Sequence, residues 1–101
     1  MESRLNTQSC DMVRQPNVDA ALDGPPGSFC FDVSEKGQRR LWFVQPDGNT
    51  GVINIRPVVA GEDPHPSWQW DGNEDKPTLT PSVHQPGFWH GWFRAGRMVS
   101  C

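Results

Sequence analysis

Two runs decide the fold: Ser28-Phe29-Cys30-Phe31-Asp32-Val33 and, after Ser34-Glu35-Lys36-Gly37-Gln38, Arg40-Leu41-Trp42-Phe43-Val44-Gln45. Phe29, Phe31 and Val33 fall on one face of an extended chain and Cys30 and Asp32 on the other, a repeat of two rather than 3.6. The second run is dense in β-favouring Trp42, Phe43 and Val44. A turn around Gly37 joins the two as a hairpin.

The same reading extends outward. Pro46-Asp47-Gly48-Asn49 is a turn by its chemistry, and Val52–Arg56 is a strand with Val52 and Asn54 opposite Ile53 and Ile55. Ser67-Trp68-Gln69-Trp70 alternates with both indoles on one side. Thr78–Gln85 is extended and broken at Pro81, and Phe88–Arg94, Ala95-Gly96 and Arg97–Ser100 form a last hairpin. The expected fold is all-β: a small antiparallel sandwich or barrel of about six short strands. No segment is long and apolar enough for the crossover helix of a parallel sheet, so βαβ units are excluded.

Of the 101 residues, 10 are Gly and 10 are Pro, which disfavours long helices. Residues 1–27 hold only Leu5, Val13, Val18 and Leu22 from the set Leu, Ile, Val and Phe, while residues 28–101 hold sixteen of that set and all five tryptophans. The expected division is therefore a flexible leader over 1–27 and one β domain over 28–101. The alternative for the leader is a short helix over Val18–Leu22, capped by Asn17 and ended by Gly24. In so small a domain, large aromatic side chains supply much of the buried area.

Nine basic and twelve acidic residues give a net charge of −3, so there is no general cationic field for nucleic acid. No apolar run spans a bilayer and the start does not resemble a signal peptide, which points to a cytoplasmic protein without a membrane role. Cys10, Cys30 and Cys101 are odd in number and far apart, without a Cys-x-x-Cys pair, so a disulfide framework is not expected.

Four chemistries can be drawn on the remaining residues. His84 and His90, with Cys101 or His65, offer imidazole and thiolate ligands to zinc, but the spacing matches no metal motif, and neither a metal nor another cofactor is expected. Ser82 and His84 share a strand face, and His90 can lie across from them, so a Ser82–His90 pair oriented by Asp71 or Asp75 is a candidate for hydrolysis. No Gly-x-Ser-x-Gly elbow surrounds Ser82, and its plain structural role is to satisfy backbone groups around Pro81. The acidic loop residues Glu62, Asp63, Asp71, Glu74 and Asp75 lack the pattern of a calcium loop. The remaining chemistry is recognition: Trp68, Trp70, His90, Trp92 and Arg94 are of the types enriched at binding hot spots. Alternation turns His90 and Trp92 away from Trp89 and Gly91, leaving one face of that strand accessible.

Thr78, Pro81, Ser82, His90, Gly91 and Gly96, within Trp68–Cys101, resemble a small protein family of phages and prophages with a Pro-Thr-x-x-Pro-Ser-Val/Ile segment, a His-Gly-aromatic strand and a turn ending in Gly. The chain is also distantly similar to a domain of unknown function found beside bacterial ubiquitin-like conjugation genes, which implies a peptidase-like or partner-binding role. Two positions depart from the pattern: Gly87-Phe88-Trp89 stands where some relatives carry Cys before the His, and Ala95-Gly96 stands where Asn-Gly or Asp-Gly is frequent. The principal expectation is a non-enzymatic phage or prophage accessory protein that binds a protein partner through the aromatic surface. The alternatives are a metal- or serine-dependent hydrolase or peptidase centred on Ser82 and His90, and a structural virion component.

Overall fold

The computed structural model describes residues 9–60, 66–85 and 89–100. The expected all-β architecture is present, as two stacked sheets. The larger has the order β2-β3-β4-β5-β6-β7, made of β2 (Val13–Arg14), β3 (Ser28–Val33), β4 (Arg39–Val44), β5 (Thr50–Ile55), β6 (Ser67–Trp70) and β7 (Leu79–Thr80). The smaller has the order β1-β10-β9-β8, made of β1 (Ser9–Asp11), β10 (Arg97–Ser100), β9 (Trp89–Arg94) and β8 (Val83–Gln85). Among the described residues no helix is long and apolar enough to cross a membrane.

Antiparallel pairing of β3 with β4 sets Phe29 against Phe43 and Phe31 against Leu41, and β4 with β5 sets Leu41 against Ile53. Phe29, Phe31 and Ile53 hold the faces that the period of two groups them on, while Val33, at the end of β3, is exposed. In the smaller sheet, Met98 pairs with Phe93 and Val83 with Gly91. Phe29, Leu41, Phe43, Ile55, Leu79, Phe93 and Met98 are almost wholly shielded from solvent. Phe43 from one sheet meets Phe93 from the other edge-to-face, with centroids 5.0 Å apart and planes at 88°, a geometry aromatic pairs favour.

Two expectations are corrected. Parallel pairing does occur, over two residues each, between β2 and β3 and between β5 and β6. A two-residue ladder needs no long apolar crossover, and the link between β2 and β3 holds only the five-residue helix α1 (Val18–Leu22). Residues 9–27 are likewise not a loose leader. β1 pairs with β10, β2 with β3, and between them Met12 is 7% exposed and donates its N–H to the Gly96 carbonyl at 2.8 Å. The segment lacks apolar side chains for a core of its own, but it borrows order from the edges of both sheets. Helix α1 has the anticipated ends: Asn17 Oδ1 accepts from the Ala20 N–H at 2.8 Å, and the Gly24 N–H donates to Ala21 at 3.1 Å.

The β9–β10 turn places both Ala95, at φ 47°, and Gly96, at φ 80°, in the left-handed region. The Ala95 N–H donates to Thr78 Oγ1 at 2.8 Å, and the Gly96 N–H to the Pro77 carbonyl at 3.1 Å, so this hairpin is tied to the larger sheet's last strand. Phe93→Ala is expected to cost about 3–5 kcal/mol by leaving a cavity between the sheets, read as a lowered denaturant midpoint. Ala95→Asn is expected to stabilise by about 0.5–1 kcal/mol, because Asn tolerates positive φ better than Ala; a thermal midpoint that does not rise would contradict this reading of the turn.

Candidate active site

The segment from Leu79 to Val83 passes from one sheet to the other. Leu79, at its start, pairs with Trp70 in the larger sheet, and Val83, at its end, pairs with Gly91 in the smaller. Both side chains are buried in the shared core. The intervening Thr80-Pro81-Ser82 is therefore held from both ends, and the Trp68 indole N–H donates to the Ser82 carbonyl at 3.2 Å. Ser82 is half-buried at this crossing.

Strand β9 supplies the other half of the site. Trp89, Gly91 and Phe93 are buried, while His90 and Arg94 are exposed and Trp92 is half-buried, which is the alternation the sequence predicts. The inward phase is fixed by a close fit. The Trp89 ring lies over Gly91, where a Cβ would stand 2.2 Å from the ring and 2.5 Å from the Val99 carbonyl oxygen. The Trp89 indole N–H donates to Ser100 Oγ at 2.9 Å.

With β9 in this phase, His90 turns outward and its Nε2 lies 3.0 Å from Ser82 Oγ. That distance suits a hydroxyl donating to an imidazole nitrogen. His84 stands directly across from His90 in the β8–β9 ladder, and the two rings face each other with centroids 4.6 Å apart and a 33° tilt. The imidazole of His90 is thus packed on one face by His84, with its edge presented to Ser82.

The expected acidic orienter is elsewhere. Asp71 Oδ1 accepts from the Asn73 N–H at 3.0 Å and the Thr78 N–H at 3.3 Å, the usual occupation of an aspartate that closes its own loop. Asp75 pairs with Arg14 at 3.1 Å. Among the described residues no carboxylate makes a hydrogen bond to His90. No group of three His, Cys, Asp or Glu side chains suited to a metal ion occurs among them either. His84 and His90 are adjacent, while Cys101 and His65 lie outside the described residues.

The proposed aromatic surface divides. Trp70 packs against Phe31, with centroids 4.5 Å apart, and its indole N–H donates to the Asn73 carbonyl at 3.1 Å. Trp68 packs on the core and is committed to Ser82. Trp92 and Arg94 instead share the outward face with His90, and the Arg94 guanidinium lies 4.3 Å from the Trp92 ring centroid. Residue type alone gave Trp68 to a binding surface; its contact with Ser82 depends on β6 and β7 being neighbours, which no local pattern reveals. Burial raises the Cys10 and Cys30 thiols above their ordinary range, with Arg97 opposing in the first case and Asp32 adding in the second. Neither has the environment of a thiolate nucleophile.

Residues 15–101 match the family described as bacterial ubiquitination-like system serine protease (BubE). The chain belongs to the BubE family. No curated protein and no solved structure matches it. The match spans every residue of the Ser82–His90 site and all of the larger sheet except its two-residue edge strand β2. It agrees with the likeness to bacterial ubiquitin-like conjugation systems and carries nothing about a phage origin.

Gly91→Ala is expected to destabilise the BubE-family chain by about 1–3 kcal/mol through overpacking against Trp89. Equilibrium unfolding measures this, and an unchanged midpoint would show that Trp89 can leave Gly91 without cost.

Proposed function

We propose that the chain is a serine hydrolase that cleaves an amide bond of a protein in a bacterial ubiquitination-like system, with Ser82 as nucleophile and His90 as general base. The observation that carries this reading is the 3.0 Å contact between Ser82 Oγ and His90 Nε2. The family description supports the reaction class and the biological setting.

In this reading the His90 ring proton resides on Nδ1, so that Nε2 accepts the Ser82 hydroxyl proton as Oγ attacks the carbonyl carbon. Nε2 then gives that proton to the departing amine as the carbon–nitrogen bond breaks, leaving an acyl group on Oγ. Water attacks the acyl carbon, passing a proton to Nε2. The acid leaves, and Oγ recovers the proton. The pinned backbone at Ser82 and the stacked face of His90 limit the motion of both partners, and such orientation contributes to rate. A cytoplasmic setting accords with the free thiols of Cys10 and Cys30.

A fluorophosphonate reagent should add a single phosphonyl group to the protein, located on Ser82 by peptide mass, and Ser82→Ala should prevent it. His90→Ala should lower hydrolysis of a fluorogenic peptide amide by about 10²–10⁴-fold while the fold is retained by circular dichroism. Labelling that persists in Ser82→Ala would send the nucleophile elsewhere.

A further inference from the structure

We propose that Trp92 and Arg94 form a substrate subsite beside Ser82 that takes an extended peptide carrying an acidic side chain about two residues from the bond to be cleaved. This rests on the assignment of Ser82 as nucleophile, and adds to it a site and a charge preference.

The β8–β9 ladder pairs Val83 with Gly91 and His84 with His90. Continued one step, the same register sets Ser82 against Trp92, on the outward face that also holds His90. Trp92 is thus the first large side chain that a substrate meets along β9 beyond the Ser82–His90 pair. Arg94 is the next outward residue, about 7 Å farther at the rise of an antiparallel strand. An extended peptide lying along this face covers that distance with two residues, since its own rise is the same.

Arg97 is the cross-strand neighbour of Arg94 and is already occupied, donating to Asp11 at 2.6 Å and to Ser9 Oγ at 3.0 Å. Arg14 is held by Glu74 and Asp75, and Arg40 by Asp32. Arg94 has no carboxylate partner among the described residues; its contact is the Trp92 ring at 4.3 Å. An indole face under a guanidinium holds the cation in place while leaving its N–H edge directed outward, where a carboxylate can be met through paired hydrogen bonds. Trp92 is half-buried, so its remaining surface can cover the aliphatic part of the same substrate residue. Arginine over tryptophan, flanked by exposed His90, is the composition of a recognition hot spot rather than of a solvated strand face.

The test uses the full chain and an internally quenched peptide series in which Glu, Gln or Lys is moved one position at a time through an otherwise Ala-Gly sequence. Wild-type protein should prefer Glu to Lys at one position by about fivefold or more in kcat/KM, the scale of one partly exposed ion pair. In Arg94→Glu that preference should reverse, and in Trp92→Ala the KM should rise more than kcat falls. The same fluorescein-labelled peptides, titrated into Ser82→Ala by fluorescence anisotropy, read recognition without turnover. There the Glu peptide should bind more tightly than the Lys peptide, and Arg94→Glu in that background should invert the order. A preference that Arg94→Glu leaves intact, or no Glu-over-Lys preference in either assay, overturns the subsite. Absent fluorophosphonate labelling alongside an Arg94-dependent preference in anisotropy would instead overturn the Ser82 reaction and leave the subsite standing.

Discussion

The structure depends on the meeting of Phe43 and Phe93. Each is an inward residue on an interior strand of its sheet, each is almost fully shielded, and their edge-to-face contact at 5.0 Å joins the two sheets. Neither sheet could bury its apolar face alone in a chain of this size. Because side chains alternate along a strand, placing Phe93 inward settles the direction of every other residue on β9. Trp89 and Gly91 go inward with it, and His90, Trp92 and Arg94 go outward. The orientation of the candidate base is thus a consequence of core packing one turn of the pleat away.

Ser82 reaches the same face by a different route. It does not sit on a strained strand-to-helix elbow but in a short connection between two sheets, fixed by the burial of Leu79 on one side and Val83 on the other. The Trp68 indole removes the remaining freedom by holding the Ser82 carbonyl. The base lies on β9 and the nucleophile immediately precedes the neighbouring strand β8, so their separation depends on a β-ladder register rather than on the conformation of a long loop. The nearby acidic residues are spent on structure: Asp71 closes its own loop and Asp75 engages Arg14, which ties the loop after β6 to the N-terminal edge strand β2.

Much of this was legible from residue order. The alternation within Phe29–Val33 and Val52–Arg56 grouped Phe29 with Phe31 and Ile53 with Ile55, while the facing of Leu41 and Phe43 came only from their pairing in the sheet. The sequence Trp89-His90-Gly91-Trp92 put His90 on the face opposite Trp89 and Gly91, though which face is inward follows from packing, and Asn17 and Gly24 marked the ends of the helix. Other features were hidden because they are non-local. Residues 9–14 carry too few apolar side chains to announce strands, and acquire them only by pairing with β10 and β3. The neighbourhood of β6 and β7, which turns Trp68 from a surface candidate into a support for Ser82, follows from sheet order alone. Asp71 was a plausible orienter by proximity in sequence, but an aspartate two residues before an amide in a Gly-Asn loop has a nearer partner.

The register of β9 against its neighbours is the point at which stability and chemistry become the same requirement. Slipping β9 by one residue would turn His90 and Trp92 into the core and expose Trp89 and Phe93, reversing every assignment on the strand. Three contacts oppose such a slip. Trp89 can lie flat only where the next inward residue lacks a side chain, and Gly91 is that residue. The Trp89 indole finds Ser100 Oγ only in the observed pairing of β9 with β10. At the far end, Ala95 and Gly96 are held to Thr78 and Pro77, the residues that lead directly into β7 and on to Ser82. The hairpin that carries His90 and the crossing that carries Ser82 are therefore joined at the turn through Thr78 and Pro77 and along the ladder through the pairing of Val83 with Gly91. A shift of either strand must break hydrogen bonds and expose aromatic surface before it can separate the serine from the histidine.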